Sequence, residues 1–147
     1  MNVILISHRG NINGPIPEKE NSVSYINEAL REGYHVEIDV WLINNELFLG
    51  HNHPDYKINL EFLLGKSLWC HAKSIDALEF LMSHDIRCFW HQSDDVTLTY
   101  PDMLLWTYAG KQLTKRSICC NLGKKNKELD SCYAVCSDYI SLFKGSV

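Results

Sequence analysis

The run His35-Val36-Glu37-Ile38-Asp39-Val40-Trp41-Leu42, continued by Ile43-Asn44-Asn45-Glu46-Leu47-Phe48-Leu49-Gly50, decides how this chain is organised. Its β-branched and aromatic residues and nearly unbroken apolar character fit a strand covered on both faces, as in a parallel sheet. Asn44-Asn45 suits a tight hairpin turn, so Glu46–Leu49 is expected to fold back on the end of the same strand. Glu37 and Asp39 lie two residues apart, and the alternation of a strand puts both side chains on one face. Two carboxylates on an apolar strand are costly to bury unless positive charge lies between them. A divalent cation, which takes oxygen ligands, is one partner of that kind; an ion pair with Arg31 is the plainer one.

Working outward from this strand, Val3–Ser7 is a short apolar run that leads into His8-Arg9-Gly10, where Gly10 allows a sharp turn. Asn21 to Gly33 has helical spacing, with Val23, Ile26, Ala29 and Leu30 on one stripe and Gly33 as its stop. Beyond the hairpin comes His51-Asn52-His53-Pro54, in which either histidine could reach the carboxylates. Leu68–Ala72 is the next strand, and His71 and Lys73 share one of its faces. Lys73 is placed to pair with Asp39 or to touch an anion, and His71 to serve as a third metal ligand or as a hydrogen-bonded core residue. Ser74 caps a second amphipathic helix running to His84, and residues 59–66 suit a shorter one.

The second half changes character. Arg87–His91, Met103–Tyr108, Ser117–Asn121 and Cys132–Ser137 read as strands, but their connectors are polar and too short for full crossover helices. His91 closes one of these strands and is a candidate for substrate contact, and Trp90 and Trp106 are candidates for a pocket wall. Lys111–Arg116 and Gly123–Lys127 form a basic patch. The expected fold is α/β: a single domain over residues 1–147, built as a compact or truncated (β/α)8 TIM-type barrel with several outer helices reduced to loops. Strands bared by the missing helices would need cover, which makes the helix-poor half a candidate homo-oligomer face.

Composition narrows the function classes. A chain of 147 residues with 46% hydrophobic and 22% charged residues is an ordinary globular sequence. A net charge of −4 argues against a nucleic-acid backbone as partner but not against one small anion held by a local cluster. No signal-peptide pattern or membrane-spanning run is evident, so the six cysteines read as buried thiols and the expected location is cytoplasmic. Two histidines, an arginine and a spaced carboxylate pair within one third of a chain suit the handling of one phosphate. A phosphodiester needs a base, an acid, a positive clamp and usually a metal ion.

The order His8-Arg9-Gly10, Glu20-Asn21-Ser22, Glu37-Ile38-Asp39, His51-Asn52 and then Lys73 resembles the glycerophosphodiester phosphodiesterase family. Wider relatives of that family include sphingomyelinase-D-like and phosphatidylinositol-specific phospholipase C enzymes. The resemblance spans residues 3 to about 73. Cys136-Ser137-Asp138-Tyr139 is similar to the family's closing strand. The resemblance implies metal-dependent hydrolysis of a glycerophosphodiester or related phosphodiester, with cyclisation as another route in the wider family. It implies a metal held by Glu37 and Asp39, His8 and His51 as the acid–base pair, Arg9 and Lys73 at the phosphate, and Glu20 orienting Arg9. Two positions depart from the pattern: His71 stands where the family has a carboxylate, and Asn52 follows His51. His71 could shift the family's Mg²⁺ or Ca²⁺ toward Mn²⁺ or Zn²⁺, for which imidazole is the better ligand, or mean that the metal is lost. The alternative is a catalytically impaired module that only binds a phosphorylated ligand.

Overall fold

The computed structural model describes residues 2–123, 129 and 132–145. The strands are β1 (Ile4–His8), β2 (His35–Ile43), β3 (Glu46–Leu49), β4 (Tyr56–Ile58), β5 (Leu68–Ala72), β6 (Cys88–Trp90), β7 (Val96–Tyr100), β8 (Leu105–Tyr108), β9 (Ser117–Cys120) and β10 (Ala134–Ser137). The helices are α1 (Val23–Arg31), α2 (Leu60–Leu63) and α3 (Ile75–Ser83), and a 3₁₀ turn covers Ile140–Phe143. Strands β1, β2, β5, β6, β7, β8, β9 and β10 pair in that order, and β10 pairs back to β1, so eight strands close a barrel.

The closed barrel is mixed, which overturns the expected (β/α)8 TIM-type architecture. Strand β7 runs antiparallel to both β6 and β8, whereas the other neighbours around the ring are parallel. The cause lies in connector length: residues 91–95 and 101–104 can bring the chain straight back but cannot carry it across the barrel. Residues 109–116 join the parallel strands β8 and β9 with no helix between them. Helices therefore do not alternate with strands, and the described ones are short. None of them is long and apolar enough to cross a membrane.

Alternation along the strands divides the protein into two apolar layers. Val36, Ile38 and Val40 point outward from β2 and pack with Ile26 and Ala29 of α1 and Ala77 and Leu81 of α3. Ile6, Trp69, Phe89, Trp106, Ile118 and Cys136 fill the barrel interior. The Asn44–Asn45 turn has φ of 51° and 62°, and β3 pairs antiparallel with the end of β2. The side chain of Ser74 accepts a hydrogen bond from Ala77 N and so caps α3. All six cysteines are buried. Lys124, Lys125 and Lys127 of the expected basic patch lie outside the described residues.

Candidate active site

Because β1, β2, β5, β6, β8, β9 and β10 run the same way, their C-terminal ends meet at one mouth of the barrel. A cavity of about 420 Å³ opens there, and His8, Arg9, Glu37, His51, His71 and Lys73 line one side of it. His8 ends β1, Glu37 and Asp39 face inward from β2, and His71 faces inward from β5 in register with Asp39. The β3 return carries the chain back to the mouth and delivers His51 to the cavity. His53 instead is exposed, so the structure separates the two candidates.

Asp39 is fully buried and is the hub. Asn21 Nδ2 donates to Asp39 Oδ2 over 2.9 Å, and the backbone N–H of Asp39 donates to Asn21 Oδ1 over 2.9 Å. Arg9 Nε lies 3.2 Å and His51 Nδ1 3.6 Å from the same carboxylate oxygen. His71 Nδ1 is 3.0 Å and Lys73 Nζ 3.8 Å from Oδ1. Burial alone would raise the carboxyl's pKa, but His51, His71 and Arg9 outweigh it and hold Asp39 well below the usual range. Glu37 goes the other way: burial, and next the charge of Asp39, push it well above the usual carboxylate value.

Arg9 adopts φ of 56° and Gly10 φ of 95° as the chain turns out of β1. A Cβ on Gly10 would lie 2.7 Å from the Tyr25 ring, so the turn requires glycine on both counts. Glu20 Oε2 accepts from Arg9 Nη1 over 3.2 Å, and Glu20 Oε1 accepts from Asn11 Nδ2 over 2.8 Å. Asn11 Nδ2 also donates to Asp138 Oδ1 over 2.8 Å, and that same oxygen lies 2.7 Å from His8 Nδ1. Asn11 thus ties the support of the arginine to the support of the histidine. Burial works against the charge of Asp138, but His8 and Asn11 prevail and hold its carboxyl below the ordinary value. An ionised Asp138 accepts a hydrogen bond from the Nδ1–H of His8, which leaves Nε2 as the acceptor nitrogen, 3.7 Å from Glu37 Oε2.

His91 lines the far side of the cavity and stacks on Tyr108, while its carbonyl accepts from His71 Nε2 over 3.1 Å. Trp106 is part of the cavity wall, whereas Trp90 packs in the outer layer. Asn11, Asn21 and Asp138 also belong to the cluster, although their sequence positions assigned them no role. Asn21 and Asp138 stand inside motifs quoted above for their resemblance, but no role attached to either. Asn11 carried no signal, since only the closed barrel brings it to Asp138.

Among the described residues, Glu37, Asp39 and His71 form the one group whose ligand atoms all lie within 4.8 Å of one another. Glu37 Oε1 lies 3.9 Å from His71 Nδ1, and Asp39 Oδ1 lies 3.0 Å from the same nitrogen, while Glu37 Oε2 is buried without a hydrogen-bond partner. Two carboxylates and an imidazole therefore fit a divalent ion, and no cysteine belongs to the group. His71 Nε2 donates to the His91 carbonyl over 3.1 Å, and Nδ1 lies 3.0 Å from Asp39 Oδ1. A cation would lie between His71 Nδ1 and the two carboxylates. Compared with models of known families, with curated proteins and with solved structures, the chain shows no significant match to any of them.

Proposed function

We propose that the protein cleaves a phosphodiester at this mouth. The observation that carries the reading is the placement of His8 and His51 on one cavity, with Arg9 and Lys73 beside them and the Glu37–Asp39 pair beneath. That is the set of groups the reaction needs, and the order of motifs that resembles glycerophosphodiester phosphodiesterases supports the same substrate class.

Arg9 and Lys73 bind the non-bridging oxygens and neutralise the charge that grows on them. His8, held through Nδ1 by Asp138, uses Nε2 to take the proton from water or from a neighbouring hydroxyl of the substrate. His51 passes a proton to the leaving alkoxide. Glu20 and Asn11 keep Arg9 aimed at the cavity. A divalent ion, when held by Glu37, Asp39 and His71, supplies further stabilisation of negative charge on the phosphoryl group. Each histidine contributes on the order of 10²–10⁴-fold.

The test is turnover of bis(p-nitrophenyl) phosphate and of glycerophosphodiesters, with and without EDTA. Metal-dependent product that falls at least about 100-fold in His8→Ala and His51→Ala agrees with the proposal. Tight phosphate-ligand binding without product supports the binding module instead. Near-full activity in either variant overturns the roles assigned to the two histidines.

A further inference from the structure

The cavity has two chemically unlike halves. Opposite the charged residues of β1, β2 and β5 stands a wall of Phe89, His91, Trp106 and Tyr108, with Gln92, Cys120 and Leu122 at its margin. Phe89 stacks on Trp106 and His91 on Tyr108, each pair with ring centroids 4.2 Å apart. His71 stacks on Phe89 at 5.2 Å, so the aromatic wall begins directly beside the carboxylate pair. The wall carries no carboxylate, ammonium or guanidinium.

This surface suits some ester groups and rejects others. A glycerol or sugar would bring several hydroxyls against rings that offer few partners, and each unpaired hydroxyl costs binding energy. A flat ring loses little on leaving water and gains offset-stacked or edge contacts with the wall. His91 Nδ1 is buried and lies 3.8 Å from Asp94 Oδ2, so it offers the cavity no open polar atom. A cavity of about 420 Å³ has room for a phosphate and a ring of this kind.

The geometry points to a phosphodiester bearing an uncharged planar ring on one ester oxygen, seated against His91 and Tyr108 while the phosphate lies at Arg9 and Lys73. This assignment rests on the phosphodiester reading above. Calorimetric binding of phenylphosphonate, glycerol 2-phosphate and phosphocholine to the full chain tests it, because none of the three is a diester that turnover would consume. Phenylphosphonate is expected to bind about tenfold tighter than the other two. In Tyr108→Leu that preference is expected to shrink to about twofold, and if the variant does not fold the wild-type comparison decides alone. Equal or tighter binding of glycerol 2-phosphate or phosphocholine overturns the ring assignment and leaves the phosphate site standing. Failure of all three to bind overturns the phosphate reading itself, and the ring assignment with it.

Discussion

His8 Nδ1 lies 2.7 Å from Asp138 Oδ1, a contact that joins the first strand of the barrel to the residue just after the last. Strand β1 pairs with β10 in register, Ser7 opposite Ser137, so the next residue of each strand meets at the mouth. Closure of the barrel therefore sets the contact that supports the proposed base. Asp138→Asn keeps the shape but replaces an acceptor-only carboxylate by an amide that can present N–H to His8 and reverse its tautomer. The expected result is a loss of kcat on the order of 10²-fold on bis(p-nitrophenyl) phosphate, with an unchanged circular dichroism spectrum. A kcat within about twofold of wild type would remove Asp138 from the assignment.

The same residue shapes the acid limb of stability. A carboxyl whose folded pKa lies below its unfolded value near 3.9 stabilises the fold above that pH, and the contribution disappears as pH falls through the folded value. Asp39 acts with the same sign. Urea midpoints measured from pH 7 down to pH 3 are expected to fall steeply below about pH 4 in the wild type, and less steeply in Asp138→Asn. Superimposable acid limbs would contradict the ionised Asp138–His8 pair.

Much of the local structure was legible in the residues, while the global architecture was not. Asn44-Asn45 announced the hairpin because a two-residue turn demands positive φ, and Ser74 announced α3 because its oxygen caps an orphan N–H. Glu37, Asp39, His71 and Lys73 were readable as one face because strand alternation is rigid. Strand β7 escaped notice. Val96-Thr97-Leu98-Thr99-Tyr100 lies among Asp94, Asp95, Pro101 and Asp102 and looks like a polar loop, yet it turns the barrel from parallel to mixed. Its outward residues Val96 and Leu98 are about half exposed, so no burial pattern marked them as a strand. Asn11 was illegible for a different reason: its partners Glu20 and Asp138 are brought together by tertiary closure, which a local pattern does not encode.

Glu37 is predicted to trade stability for activity. It is almost fully buried, its Oε2 has no partner, and its carboxyl is held well above the usual pKa by burial and then by Asp39. For an acid shifted upward, stability is lost as pH rises above the unfolded value near 4.3, because the unfolded chain releases its proton first. Glu37→Gln removes that cost. In EDTA its Tm is expected to exceed that of the wild type at pH 7, by about 2–4 °C for each kcal/mol gained, and to exceed it by less at pH 4.5. Activity is expected to vanish, since the glutamine is a poor ligand for a cation. A lower Tm at pH 7 would show that the carboxylate stabilises the fold after all.

His71 is the residue through which metal preference is predicted to change. Its Nδ1 sits 3.0 Å from Asp39 Oδ1, close enough for both to hold one ion. With an imidazole in the set, Mn²⁺ or Zn²⁺ is expected to activate turnover better than Mg²⁺ or Ca²⁺. His71→Glu gives an all-oxygen set, which the hard cations prefer. Activation curves for the four ions should therefore reverse their order between wild type and variant. The same order in both proteins would mean that His71 is a core hydrogen-bonding residue and not a ligand.

At the opposite end of the barrel, Trp69 is predicted to matter for stability and not for chemistry. Its indole N–H donates to His35 Nδ1 over 3.2 Å, and the Arg87 guanidinium lies 4.1 Å from its ring. Arg87 is in turn fixed by Asp102 and by the Lys66 carbonyl, so four segments lock around one ring. Burial, and then Arg87, lower the pKa of His35, which keeps it the neutral acceptor that the indole needs. Trp69→Phe deletes the donor and weakens the cation–π contact, together about 2 kcal/mol. The expected Tm loss is roughly 4–8 °C. Trp69 packs below the cavity on Trp106 and does not line it, so kcat measured well below the Tm is expected to stay within about twofold. A large fall in kcat with little change in Tm would mean that the indole acts through Trp106 on the site above.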